Sequence, residues 1–157
     1  MRFLRLLIRN ESSVKRACTR PGLTQLASSV CLGEGAPECT ELSLLLCGDP
    51  RIAELNKMYR HKNQATDVLS FAQEIPPGHP ITEESPYALG DIVISLDTVE
   101  RRCQGDLKTM RAEVRLLFCH GLLHLLGVHH GTAEERRNMI KKQAQYLGVT
   151  EPLAWHK

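Results

Sequence analysis

Four of the seven histidines in this 157-residue chain fall in one short segment, His120-Gly121-Leu122-Leu123-His124-Leu125-Leu126-Gly127-Val128-His129-His130. His120 and His124 are four positions apart near the end of a segment that reads as helix, so both imidazoles project from one face, one turn apart. Gly127 breaks that helix and lets the chain turn back, where His129 or His130 can supply a third imidazole. Three nitrogen ligands with an open fourth position are the pattern of catalytic zinc, whereas a structural site is closed by a fourth ligand, often Cys. A single helical histidine on an apolar face is usually a hydrogen-bonded core residue; four in this arrangement point to a metal, one Zn2+ per chain. Cys119 sits about 100° around the helix from His120 and reads as packing.

Zinc on three neutral imidazoles stays dipositive, lowers the pKa of bound water toward ~7 and polarises a phosphoryl oxygen. Hydrolysis is the chemistry to expect. Zinc peptidases of the His-Glu-x-x-His type carry a general-base glutamate directly after the first histidine. Gly121 stands there, and a close-packed neighbour is the reason to expect a glycine. That places peptidase well behind other hydrolases.

The elements that must position this cluster are legible from pattern. Residues 3–9 read as a strand, 21–32 as a helix with Pro21 in its first turn, and 41–47 as an apolar strand. Asp49-Pro50 reads as an N-cap and first-turn proline for a helix over 50–59. Residues 68–71 and 91–95 read as strands, 96–103 as a helix, and 107–126 as a long helix ending at Gly127. Thr132 and Glu135 form a capping box for a last helix over 133–147, stopped by Gly148. The order β-α-β-α-β-β-α-α-α predicts an α+β domain spanning 1–157, with a small mixed sheet, about five helices, and the zinc site at the end of a central helix. The stretch 73–86 holds four prolines and reads as a loop that rims the zinc cleft.

Composition narrows the function classes. Apolar residues are 42% and aromatics 4%, which implies one aliphatic core. A net charge of +2 does not mark the whole chain as a nucleic-acid binder, so any RNA contact needs a local basic face. Six cysteines without a Cys-x-x-Cys pair, and no secretory signal, read as reduced buried thiols in a cytoplasmic protein. The five arginines of the first twenty residues leave organelle import as the alternative. No stretch approaches the ~18 apolar residues of a membrane span.

The histidine segment resembles the His-Gly-x-Leu-His-Leu-x-Gly-x-Asp-His signature of the YbeY family, metal-dependent endoribonucleases of rRNA maturation. A second block, Tyr59-Arg60-His61-Lys62-Asn63-Gln64-Ala65-Thr66-Asp67-Val68-Leu69-Ser70-Phe71, is similar to that family's Tyr-Arg-x-x-(Asp)-x-x-Thr-Asp-Val-Leu-Ser-Phe. A third, Leu89-Gly90-Asp91-Ile92, matches its Leu-Gly-Asp-Ile strand. The blocks occur in family order and spacing. The resemblance implies His120, His124 and His130 as the metal ligands. It implies Arg60 near the metal as a phosphate-binding catalytic residue, with Lys62, Thr66 and Ser70 beside the substrate. Lys57 joins Arg60 and Lys62 in a local basic face. His129 stands where the family has Asp, and Asn63 where it often has Asp. Each change removes a carboxylate and neither removes a ligand.

The expected function is then a zinc-dependent, single-strand-specific endoribonuclease in rRNA maturation, of the 16S-type 3' end, and in ribosome quality control. Ribosomal RNA is the expected partner, accompanied by ribosomal proteins. The alternative is a ribosome-maturation binding factor whose metal stabilises the fold without turnover.

Overall fold

The computed structural model describes residues 3–155. The elements, in order, are β1 (Phe3–Asn10), α1 (Arg20–Gly33), β2 (Cys39–Cys47), α2 (Asp49–Arg60), β3 (Val68–Ala72), β4 (Tyr87–Ser95), α3 (Leu96–Arg102), α4 (Leu107–Leu125) and α5 (Ala133–Leu147), then a single 3-10 turn at Glu151–Leu153. The expected α+β class and element order hold.

The four strands lie in the order β1-β2-β4-β3. β1 and β4 run parallel to β2 on either side of it, and β3 runs antiparallel to β4 at one edge. Alternation along the strands sorts their residues between two faces. Leu42, Leu44, Leu46, Ile92 and Ile94 enter the main core with Leu23, Val30, Val114, Phe118 and Leu122 of α1 and α4. The core is aliphatic, as the composition implies; Phe118 is its one fully buried aromatic among the described residues. On the other face Ile52 of α2 meets Cys47 and Val93 in a second, smaller cluster. α4 therefore lies against the sheet next to β3 and β4, and its C-terminal end carries the histidines to the β3 edge.

Several boundaries differ from the sequence reading by one to four residues, and two of the differences have a cause outside the local sequence. β4 begins at Tyr87, ahead of Asp91, because residues 87–90 pair with Thr40, Glu41 and Leu42 across a register shift between Glu41 and Leu42. α2 begins one residue early, with Gly48 as its N-cap and Asp49 inside the first turn. Its capping is tertiary: the Asp97 carboxylate accepts the Asp49 backbone N–H at 2.7 Å. The Asp49 carboxylate is thereby released to accept from Ser95, Thr98 and Arg101 at 2.7, 3.0 and 2.7 Å.

All six cysteines are free thiols, and four are buried. Burial pushes the Cys119 thiol up to about 12 and Cys47 up to about 11, so both stay protonated and unreactive. Among the described residues no helix is long and apolar enough to cross a membrane.

Candidate metal centre

His120 and His124 occupy the last two turns of α4. Their ring centroids lie 4.6 Å apart, and their Nε2 atoms 3.1 Å apart. α4 then stops. Leu126 caps it through backbone bonds to residues 122–124, and Gly127 follows at φ 89°, a left-handed conformation that favours glycine. That turn sends the chain back so that the His130 ring sits 5.2 Å from His120 and 4.9 Å from His124. One ligand atom from each of the three lies within 4.8 Å of the others. Of the two possible third imidazoles, His130 joins the group; His129 lines the same cleft outside it.

The donor set fits a divalent metal. Nitrogens bound at about 2.0–2.1 Å in a tetrahedron stand roughly 3.3 Å apart, close to the His120–His124 separation. Protonation states agree. Burial, then the neighbouring imidazoles of His120, His130 and His129, holds His124 down at about 4, so it is neutral near pH 7 and offers a lone pair. His120 is fixed by a chain of bonds. The buried Gln143 side chain donates through Nε2 to the Ala154 carbonyl at 2.5 Å, which leaves its Oε1 facing His120 Nδ1 at 2.8 Å. An amide oxygen only accepts, so Nδ1 carries the proton and the Nε2 lone pair points into the cluster. Trp155 walls the site, with its ring 5.5 Å from His120 and 5.4 Å from His130.

The cleft in front of the histidines is bounded by the loop after α2 and by the β3 edge. Arg60, Lys62, Thr66 and Ser70, the substrate-side residues expected from sequence, all line it. Arg60 is exposed and donates through Nη2 to the Ser70 carbonyl at 2.5 Å, with its guanidinium 5.3 Å over the Phe71 ring. The Ser70 hydroxyl donates to the Gly121 carbonyl at 3.1 Å, tying β3 to the histidine helix. Gly121 is close-packed as expected: a Cβ there would lie 2.9 Å from Ser70 Oγ and 3.1 Å from Ile92 Cγ2. Lys57 lies outside the residues lining the cleft. So does the proline-rich stretch 73–86, which contributes Gln73 and Glu74 to a different groove on the opposite sheet face.

Sequence reasoning missed Gln143, Trp155 and Asn56. Asn56 is buried and donates to the Gln64 carbonyl at 2.9 Å, while its own carbonyl accepts from Lys62 N–H at 3.3 Å. It thereby shapes the loop that carries Lys62 and Thr66. A signal existed. Asn56 follows buried Ile52 by four, and Gln143 follows buried Met139 by four. A polar amide in the apolar stripe of a helix must find partners inside the protein.

Comparison with known proteins points to one family. The family described as "Endoribonuclease YbeY" matches residues 8–151. A relative named endoribonuclease YbeY from Anaeromyxobacter sp. (strain Fw109-5) is 47% identical over 105 residues, covering 67% of this chain and 52% of its own length. One of the same name from Pelotomaculum thermopropionicum is 41% identical over 127 residues, covering 80% and 82%. A chloroplastic YBEY endoribonuclease of Arabidopsis thaliana is 38% identical over 113 residues, covering 72% of this chain and 19% of its own. The solution structure of TM1509 from Thermotoga maritima superposes with a TM-score of 0.59 at 25% identity, over 92% of this chain and 87% of that one. The chain spans about half the length, or less, of three of the curated relatives it matches, two from Anaeromyxobacter and one from Myxococcus xanthus. With the family match covering nearly its whole length, the chain belongs to the YbeY endoribonuclease family.

Proposed function

We propose that this protein is a zinc-dependent, single-strand-specific endoribonuclease of ribosomal RNA maturation, acting at a 16S-type 3' end and in ribosome quality control. We place it in the cytoplasm with ribosomal RNA as substrate and ribosomal proteins as accompanying partners. The observation that carries the reading is the convergence of the His120, His124 and His130 ring nitrogens within 4.8 Å, at a cleft whose rim holds Arg60 and Lys62. The family relatives are named endoribonucleases, which supports the RNA-cleaving part of this reading.

In this reading His120, His124 and His130 hold one Zn2+. When bound, the metal supplies Lewis-acid polarisation of a phosphoryl oxygen and acidifies water. The protein's own groups supply the rest. Gln143 keeps the His120 proton on Nδ1. Arg60, anchored on the Ser70 carbonyl, offers its remaining N–H groups to a phosphate oxygen and stabilises charge developing there. Lys62 adds a point charge beside it. Thr66 and Ser70 offer hydroxyl oxygens along the strand path; the Ser70 proton is engaged by Gly121, so toward substrate it is an acceptor. No carboxylate follows His120, which sets the centre apart from the His-Glu-x-x-His peptidases.

The test is cleavage of ribosomal RNA precursor by metal-loaded protein and by a His124→Ala variant with intact fold. Cleavage that disappears in the variant and with a chelator is the expected result. Stoichiometric binding to ribosomal particles without turnover would instead assign a maturation factor whose metal stabilises the fold.

A further inference from the structure

The sheet face away from α4 is only half covered. α2 seals one end with Ile52 and Leu55, and the rest is an open groove of about 850 Å³. Leu45 and Val93 line its apolar part, and Asp91 lines it while accepting from the Ser43 hydroxyl. This groove and the histidine cleft meet at the β3 edge, where Arg60 and Ala72 line both.

An aromatic platform stands at that junction. The Tyr59 ring lies 5.2 Å from Phe71, tilted by 56°, and the Arg60 guanidinium lies over the same Phe71. Tyr59 is 59% exposed. In a chain with seven aromatic side chains in all (Trp 1, Tyr 3, Phe 3), a tyrosine left in water and propped on a second aromatic beside a cation is not accounted for by core packing. Exposed aromatic and guanidinium planes beside a strand path are the elements of single-strand base stacking.

Charge says which part of a nucleotide the groove takes. Arg9 and Arg51 are paired with Glu11 at 3.1 and 3.6 Å, and Asp91 and Glu74 add negative charge. Apart from Arg60 the lining sets two arginines against three carboxylates, so it offers a phosphate no net attraction, and phosphates belong at the Arg60 rim. A base is neutral, and its amino groups can donate to Asp91.

We propose that Tyr59 is a base-stacking subsite for single-stranded RNA. A strand with one phosphate in the histidine cleft crosses the β3 edge at Ala72 and sets a flanking base on Tyr59, in the groove behind. The proposal rests on the RNA-cleaving function above and gives it a physical basis for single-strand preference. A base can leave a flexible strand to reach Tyr59, while a duplex holds its bases stacked on one another.

The probe is a 2'-O-methyl single strand carrying 2-aminopurine at successive positions, its integrity checked on a gel. Metal-loaded wild type should quench one or two adjacent positions on binding, and so should Tyr59→Phe. Tyr59→Leu should abolish the quench and bind the strand about tenfold more weakly, with an unchanged melting temperature because the side chain is exposed. The matched duplex should show no quench. Unchanged quench and affinity in Tyr59→Leu would overturn the subsite, as would wild type binding the strand without quenching any position. In either case retained cleavage of unmodified RNA leaves the enzymatic reading standing. Wild type that neither binds nor cleaves single strands defeats both.

Discussion

Gln143 Oε1 lies 2.8 Å from His120 Nδ1, and the same amide is held from behind by the Ala154 carbonyl. This bond decides which ring nitrogen of His120 faces the metal centre. Gln143→Leu removes it at nearly constant volume. Zinc affinity, measured by competition with a chromophoric chelator, should fall about 10- to 100-fold. Gln143→Glu keeps an acceptor on Nδ1 but sets its second oxygen against the Ala154 carbonyl, so it should retain more zinc affinity than Gln143→Leu while lowering the melting temperature. Equal affinity in Gln143→Leu and wild type would remove the orienting role.

The histidines predict a metal count. Purified protein should carry one zinc per chain by elemental analysis. His120→Ala, His124→Ala and His130→Ala should each lose most of it, whereas His129→Ala should retain it, because His129 lies outside the cluster that closes to within 4.8 Å. A site emptied by His129→Ala and preserved in His130→Ala would reverse the choice of third ligand.

Arg60 joins two roles that kinetics can separate. It is exposed, so Arg60→Ala should cost little stability, within about 1 kcal/mol for the lost bond to Ser70. RNA cleavage should fall by about tenfold or more, with zinc content unchanged. Arg60→Lys should recover only part, since an ammonium lacks the planar fork. Full activity in Arg60→Ala would end the phosphate-binding proposal.

Glu34 predicts part of the acid limb of stability. Burial raises its carboxyl pKa, but hydrogen bonds from Lys142 and Tyr146 and the Lys142 charge outweigh this, and the net position is below the ordinary 4.5. A depressed carboxylate stabilises fully above its unfolded value, and that contribution is lost as pH falls through the folded value. The melting temperature should therefore drop as pH falls below about 4.5. In Glu34→Gln the drop should be shallower, from a lower starting point at pH 7. Parallel pH profiles for the two proteins would show that Glu34 carries none of it.

Gly121→Ala tests how tightly α4 lies on the sheet. Alanine gains about 1 kcal/mol of intrinsic helix propensity, yet its Cβ would press on Ser70 Oγ and on buried Ile92. Such overpacking costs typically 1–3 kcal/mol. A lower melting temperature is expected; a higher one would mean that β3 yields easily.

What the sequence made legible follows a physical line. The His120–His124 pair could be read because helical spacing is a local feature, and Gly127 announced a third imidazole; the choice of His130 over His129 came from the family resemblance. The element order was legible for the same reason. The cap of α2 was not: Asp49 has the composition of an N-cap, but Asp97 arrives from a distant helix and takes over its backbone N–H. The early start of β4 depends on a register shift in its partner, which no local pattern records. Gln143 and Asn56 stood in plain view on apolar stripes, but only the packed structure shows that their partners are His120 and the loop carrying Lys62. The groove behind β3 is invisible to any reading that does not know which sheet face α2 leaves open.

The brace on His120 runs forward along the chain, to a side chain 23 positions later and from there to a carbonyl 11 positions further on. A polypeptide is made from its N-terminus. The four strands and all three histidines are therefore polymerised before Gln143 and Ala154, which complete the support. A nascent chain stopped after His130 would hold the ligands with no fixed tautomer on His120 and no Trp155 wall. The centre is the last part of the molecule to be finished.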